Sequence, residues 1–390
     1  MAFWRIGLVI DRLDPLKGGA EAYLVRLARF LAGRGHEPHF LACHFAPGVD
    51  GGQTHAVRLP PLPRALRDIA FDRGAARLAV RLGLDVTLGV RHTPSTAVFQ
   101  PHGGVYSCAA RAQSRSAGWR RPLHAQVRAL NPKHLALLHL EALQRRRGGR
   151  VRHVALSERV RADMCRVYRL DEADAPVLLY NGVDCRRFAP DPGGDDRARI
   201  RARHGIDPAA FVVLFMAHNF RLKGLGHLIA AAAGLQRRPD PRLRVLVVGR
   251  GRTAGYVRRA RALGLGQTFV FAGDTAAPEG YYRAADVLAH PTYYDPCSSV
   301  CLEALACGLP VVTTAANGVG ELIAAAGGGV VLADAADEGG LRAALAGLRR
   351  DPGRRARLAA EARRLAEAHP EDRAFAGLES VLAAAAQGGG

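Results

Sequence analysis

Tyr293-Tyr294-Asp295-Pro296-Cys297-Ser298-Ser299-Val300-Cys301-Leu302-Glu303-Ala304-Leu305-Ala306-Cys307-Gly308-Leu309-Pro310-Val311-Val312 reads as an exposed turn, then a helix, then a buried strand. Pro296, with its fixed φ, suits the entry to a helix. Ser298 and Ser299 are placed to cap the first turn, whose backbone N–H groups lack partners within the helix. Gly308 ends the helix and Pro310 stops it from continuing. Val311-Val312-Thr313-Thr314 has the β-branched composition of a strand. Inside the helix Glu303 is a lone carboxylate among Val300, Leu302, Ala304 and Leu305. Such a residue reaches solvent at one edge or meets a polar ligand. A helix N-terminus is also a ready anion site. The order carboxylate, amide-rich helix start, carboxylate therefore suits a ligand that carries both hydroxyls and an anionic group.

The stretches before it repeat one theme. Phe211–Met216, Leu243–Val248, Phe269–Gly273 and Val287–His290 are short, nearly continuous apolar runs separated by helical patterns. That is the signature of a parallel sheet covered on both faces. The first run leads into Arg221-Leu222-Lys223-Gly224 and the second into Gly249-Arg250-Gly251. After Val330–Leu332, residues 337–387 read as two or three amphipathic helices, and the alanine- and glycine-rich tail from Ala383 reads as frayed.

The first half has the same alternation. Ile6–Ile10 is followed by Gly18-Gly19-Ala20-Glu21 and a helix with Leu24, Leu27, Ala28 and Leu31 on one face. A strand, a glycine loop and a helix in that order bring backbone amides near a phosphate, although many such loops are simple turns. Ala97–Gln100 runs into Pro101-His102-Gly103-Gly104, and loops after strands line the ligand crevice of open α/β sheets. His102 is thus a site candidate, with a bystander histidine as the plainer reading. Further strands are read at Val151–Ala155 and Pro176–Tyr180. Residues 185–208, rich in Arg, Asp, Pro and Gly, have the composition of a linker.

A chain of 390 residues with 48% apolar content accommodates two or three domains. No apolar run approaches the ~18 residues that cross a bilayer, and the N-terminus enters a strand without a signal-peptide pattern, so a cytoplasmic location is expected. Seven scattered cysteines without a C-x2-C pair indicate reduced thiols, with neither a disulfide framework nor a zinc site. The formal charge of +20 comes almost entirely from arginine and implies attraction to polyanions. It is concentrated in residues 105–152, where Arg111, Arg115, Arg120, Arg121, Arg128, Lys133 and five further arginines face the single acid Glu141. Tyr106, Trp119, Leu123, Val127 and Leu130 are interleaved. Two readings fit: a solvated basic face, or a segment lying on anionic lipid with its aromatic residues in the interface. No nucleic-acid motif accompanies the charge, so nucleic acid is not an expected partner.

Taken together, Gly18-Gly19-Ala20-Glu21, Asn181-Gly182-Val183-Asp184 with Arg187-Phe188, Arg221-Leu222-Lys223-Gly224, Val248-Gly249-Arg250-Gly251 and the block from Asp295 to Pro310 resemble the retaining glycosyltransferases of family 4 (group 1). The resemblance covers nearly the whole chain and is strongest to the lipopolysaccharide core glucosyltransferases. It implies an α/β GT-B fold: two Rossmann-like domains whose parallel sheets face a central cleft. The domains would be an acceptor-binding domain over 1–184, a linker over 185–208, a nucleotide-sugar-binding domain over 209–370, and a C-terminal helix over 371–390 returning to the first domain.

The resemblance also implies site residues. Glu303 matches the carboxylate that binds the nucleotide's ribose, and Asp295 stands where the family has a glutamate on the sugar hydroxyls, one methylene shorter. Ser298, Ser299 and the helix start would offer N–H groups to the diphosphate. Gly18, Gly19 and Gly251 would allow close approach of backbone to donor. Arg221 and Lys223 would stabilise charge growing on the leaving diphosphate, and His102 would lie near sugar and acceptor. The family needs no metal or cofactor, which agrees with the absence of an Asp-x-Asp sequence. The expected partners are a nucleotide sugar and a glycan or glycolipid acceptor, with residues 105–152 as the contact to an anionic membrane surface. Three rivals are a nucleotide-sugar epimerase on the same fold, a catalytically weak membrane-surface binding module and, on charge alone, a nucleic-acid-binding protein.

Overall fold

The computed structural model describes residues 3–16, 18–117, 126–191, 193–236 and 240–388. The chain divides into two compact units, one of residues 1–114, 118–180 and 372–390, the other of 115–117 and 181–371.

The first unit is built on a seven-stranded sheet in the order Gln53–Ala56, Glu37–Ala42, Arg5–Val9, Val86–Gly89, Val98–Phe99, Arg152–Ala155, Val177–Leu178. Every pairing is parallel; Leu8, for example, lies between Phe40 and Leu88. The chain begins in the middle, at Arg5–Val9, proceeds to one edge and then returns to the other side of its starting strand. The switch point is therefore between Arg5–Val9 and Val86–Gly89. Leu24, Leu27 and Leu31 of the helix Gly19–Gly33 pack on Ile6, Leu8 and Phe40. The last helix, Glu371–Gln387, completes this core with Phe375, Leu378 and Leu382. It remains helical through Ala383–Ala386, where the composition suggested fraying, because alanine has the best helix propensity and Leu382 is anchored.

The second unit carries a six-stranded parallel sheet in the order Phe269–Gly273, Leu243–Val248, Phe211–Met216, Val287–Ala289, Val311–Thr314, Gly329–Leu332. Its switch point lies between Phe211–Met216 and Val287–Ala289, where Val213 and Leu214 pair with Val287 and Leu288. Helices Leu225–Leu235 and Glu338–Arg350 cover one face, burying Leu228, Ile229, Leu341, Leu345 and Leu348 against Val213, Phe215, Val245 and Val247.

Two expectations are corrected here. Residues 185–208 are not an open linker: Asp195–Arg203 is a helix of the second unit. Its Arg201 is 2% exposed and donates to Ala284 O, Pro208 O, Ala210 O and Asp286, so an arginine that looks like a linker residue is a buried cross-brace. The turn before the central helix is not exposed either. Tyr293, Tyr294, Cys297 and Ser298 are all buried, because Asp295 bridges to Asn317 and the turn is tucked under the next loop.

In the basic segment, Tyr106–Arg115 and Pro132–Arg147 are helices, the latter capped by the Asn131 side chain on Lys133 N. Part of the charge is used internally: Arg128 donates to Ala110 O and Gln113, and Lys133 pairs with Asp68. Val127, Leu130 and Leu135 are exposed. Trp119, Arg120, Arg121 and Leu123 lie outside the described residues. Among the described residues no helix is long and apolar enough to cross a membrane.

Candidate active site

In the second unit the loops that leave the two switch-point strands are tied together. After Phe211–Met216, the Asn219 side chain accepts from Leu222 N at 3.1 Å and its carbonyl from Lys223 N at 3.0 Å, which closes a turn around Arg221. Gly224 follows at φ +81, where a Cβ would lie 2.1 Å from Pro291 O; only glycine permits this approach. Leu222 O accepts from Tyr293 N at 2.9 Å, which joins this loop to the one after Val287–Ala289. Arg221 is exposed on the loop, whereas the Lys223 side chain turns inward.

Lys223 Nζ donates to Asp295 Oδ2 at 2.5 Å and to Tyr294 O at 3.2 Å. His290, at the end of Val287–Ala289 and 1% exposed, donates from Nε2 to the same Oδ2 at 3.3 Å. That places its proton on Nε2. Its Nδ1 has no hydrogen-bond partner among the described residues, and burial lowers its pKa, so the ring is neutral. Burial works to raise the Asp295 pKa, but the Lys223 charge and the His290 hydrogen bond outweigh it and hold the carboxyl well below the usual range. The Asp295 backbone is fixed from both sides, by Ala316 O at 3.0 Å and Gly318 N at 2.9 Å.

The central helix is Ser299–Ala306, with Ser298 at its N-cap. Contrary to expectation, the Ser298 side chain does not cap the helix. Asn317, fully buried, accepts on Oδ1 from Ser298 N at 3.4 Å and Val319 N at 3.2 Å, and donates from Nδ2 to Thr313 Oγ1 and Cys301 Sγ. One amide thereby orders the starts of two helices. Asn181 secures the preceding residue by donating to Cys297 O at 3.0 Å. Glu303, half-buried, accepts on Oε2 from the hydroxyl of fully buried Tyr282 at 2.7 Å. Burial and then the Glu303 charge push the Tyr282 pKa well up, so the phenol is a fixed donor. Gly251 is required by packing: a Cβ there would meet the Phe220 ring at 2.3 Å.

The first unit holds the other expected residues. Gly18 is the extended N-cap of Gly19–Gly33; a Cβ on it would meet the Glu21 carboxylate at 2.1 Å, whereas one on Gly19 meets nothing within 4 Å. Glu21 pairs at 2.7 Å with Arg91, which also reaches Asp11 at 3.1 Å, spanning this unit's switch point. His102 shares the Gln100 Oε1 acceptor with the Tyr23 hydroxyl, at 3.3 and 2.9 Å, and its ring lies 4.2 Å from that of Tyr23. Enclosure, reinforced by the Arg91 and Arg26 charges, lowers its pKa to about 3. His102 is therefore neutral, with Nε2–H facing Gln100 and Nδ1 as the acceptor nitrogen.

Lys223 and Asp295 are thus in direct contact, and Glu303 shares the helix that Ser298 and Ser299 begin. His290, Tyr282, Asn317 and Arg91 were not singled out from sequence. His290 had a usable signal, a polar residue directly after a buried strand; Tyr282 and Asn317 had none.

The family profile described as "Glycosyl transferases group 1" matches residues 196–365, and "Glycosyltransferase Family 4" matches residues 17–187. A D-inositol 3-phosphate glycosyltransferase of Kineococcus radiotolerans is 30% identical over 93% of this chain and 91% of its own length. One of the same name from Rhodococcus jostii is 37% identical, but over 49% of this chain and 43% of its own length, so that match spans less than half of the relative. Among solved structures, WaaG, a glycosyltransferase involved in lipopolysaccharide biosynthesis, superposes with a TM-score of 0.81 at 21% identity, over 97% of this chain and 99% of that one. Anabaena HepE in complex with UDP gives 0.72 at 20% identity, over 98% and 100%. The fold is GT-B, and the chain belongs to the group 1, family 4 glycosyltransferases.

Proposed function

We propose that the protein transfers a hexose from a nucleoside diphosphate sugar to a hydroxyl of a glycan or glycolipid acceptor, with retention of configuration and without a metal. The observation that carries this is the second unit's switch point, where Lys223 meets Asp295 beside a helix that presents Glu303 on a fixed phenol donor. Glu303 accepts from the ribose hydroxyls. Ser299 and the helix start, with Gly251, offer backbone N–H groups to the diphosphate. Arg221 and Lys223 stabilise charge on the leaving phosphate; losing one such fixed donor costs about 10²–10³ in rate. His102, being neutral, serves the sugar or the acceptor as a hydrogen-bonding group rather than as an acid. Retention follows from front-face attack, with the donor's phosphate taking the acceptor proton.

For the acceptor, the lipopolysaccharide core is one reading. A second is favoured by the D-inositol 3-phosphate glycosyltransferases among its relatives: a phosphorylated cyclitol. Residues 105–152 suit either, as a basic surface with exposed Val127, Leu130 and Leu135 that meets an anionic membrane or a phosphorylated acceptor. The test is a panel of nucleotide sugars in thermal denaturation, wild type against Glu303→Ala. At 100 times its Kd a true donor stabilises by about 2.7 kcal/mol, and Glu303→Ala cuts this to about 1.4 kcal/mol or less. No shift with any donor sinks the proposal. The stabilising donor is then offered to lipid-linked and cyclitol phosphate acceptors, and product formation separates the two readings.

A further inference from the structure

The family pattern leads one to expect a sugar-contacting carboxylate at position 295, but the atoms around Asp295 describe another task. Both of its side-chain neighbours, Lys223 Nζ at 2.5 Å and His290 Nε2 at 3.3 Å, converge on the single oxygen Oδ2. The Asp295 and Lys223 side chains are only 13% and 17% exposed. Among the described residues two of the ammonium's three N–H groups are spent, on Asp295 Oδ2 and Tyr294 O, and one is left for an anion. We infer that Asp295 is a positioning residue: held by His290, it aims the Lys223 ammonium at the donor's diphosphate and does not touch the transferred sugar. This rests on the donor reading above.

A free lysine loses substantial rotamer freedom when it is fixed on a ligand. A preformed ion pair removes that loss before the donor arrives, and a preorganised charge is what the departing diphosphate requires. The backbone of Asp295 is locked at Ala316 and Gly318, and His290 stacks on Phe215 with ring centroids 6.5 Å apart. The anchor is therefore rigid on the side away from Lys223.

The test measures the affinity of a nucleoside diphosphate and of its hexose conjugate, together with turnover, for wild type, Asp295→Asn, Lys223→Met and the double variant. Asp295→Asn is expected to lower kcat at least tenfold while the ratio of the two affinities stays within twofold of wild type. On the Lys223→Met background the same change lowers kcat no further than twofold, because Asp295 acts through Lys223. His290→Gln, which leaves both charges in place, lowers kcat without moving the affinity ratio, and it decides the matter if Asp295→Asn does not fold. A fivefold loss confined to the hexose conjugate, or an Asp295→Asn effect undiminished in the double variant, overturns the inference while leaving the donor reading intact. Failure of the wild type to bind either ligand sinks both.

Discussion

Tyr282→Phe isolates the part of the site that holds the nucleoside. The substitution removes one oxygen and keeps the ring, which packs edge-on against Phe188 with centroids 6.0 Å apart. No cavity forms, so the loss is confined to the 2.7 Å hydrogen bond to Glu303 Oε2. A hydrogen bond to a charged group contributes about 1.5–3 kcal/mol net. In the unliganded protein water can replace the phenol at half-buried Glu303, so folding stability should fall by no more than about 1 kcal/mol. When ribose occupies the site, the carboxylate must hold its orientation without the phenol, and most of the loss appears in binding. At about 1.4 kcal/mol per decade, donor affinity should weaken roughly tenfold or more. Calorimetric titration with a nucleoside diphosphate and with the phosphate-free nucleoside should show the same factor, since the defect lies at the ribose. Binding within twofold of wild type would falsify the claim that the phenol orients Glu303.

Three further outcomes concern the frame around the site. Arg201→Ala removes the donor to Ala284 O, Pro208 O and Ala210 O, while Asp286 keeps Arg197 at 2.8 Å, and should destabilise the second unit by about 1–3 kcal/mol, read from urea unfolding. Phe375→Ala removes a 2% exposed ring from the first unit's core and should cost about 3–5 kcal/mol there, with protease sensitivity rising in the first unit before the second. Burial lowers the pKa of His153 to about 4 and that of His102 to about 3, whereas in the unfolded chain each takes up a proton below about 6.5. The stability they contribute is present above pH 6.5 and is lost as the pH falls toward 4, by up to about 1.4 kcal/mol per pH unit for each. His153→Gln should flatten the pH dependence of the melting temperature in that window.

The central strands of both sheets were legible because a parallel strand buried on two faces must be an unbroken apolar run, as in Phe211–Met216 and Leu243–Val248, whereas the exposed edge strand Gln53–Ala56 carries no such run and was not read. The helix bearing Glu303 was legible from its glycine and proline punctuation. What escaped was decided by tertiary contacts. Arg201 belongs by composition to a linker, but Asp286 and three carbonyls, far off in sequence or at the helix's end, make it a core residue. Ser298 has the chemistry of a cap, yet Asn317, nineteen residues on, organises the helix start instead. The turn at Tyr293–Cys297 looked exposed because it holds an aspartate and a proline, and it is buried by a bridge to a loop that local sequence does not reveal. In the same way the Lys223–Asp295 contact joins two strand ends that only the switch in strand order brings together.

The central claim is that Glu303 and the switch-point loops of the second unit bind a nucleoside diphosphate sugar. Isothermal titration of the stabilising nucleotide sugar into wild type and into Glu303→Ala tests it most directly. The account predicts one saturable site in the wild type and, in the variant, a loss of affinity of roughly tenfold or more, as expected when a charge-assisted hydrogen bond worth about 1.5–3 kcal/mol is removed. Equal affinity in the two proteins would contradict it.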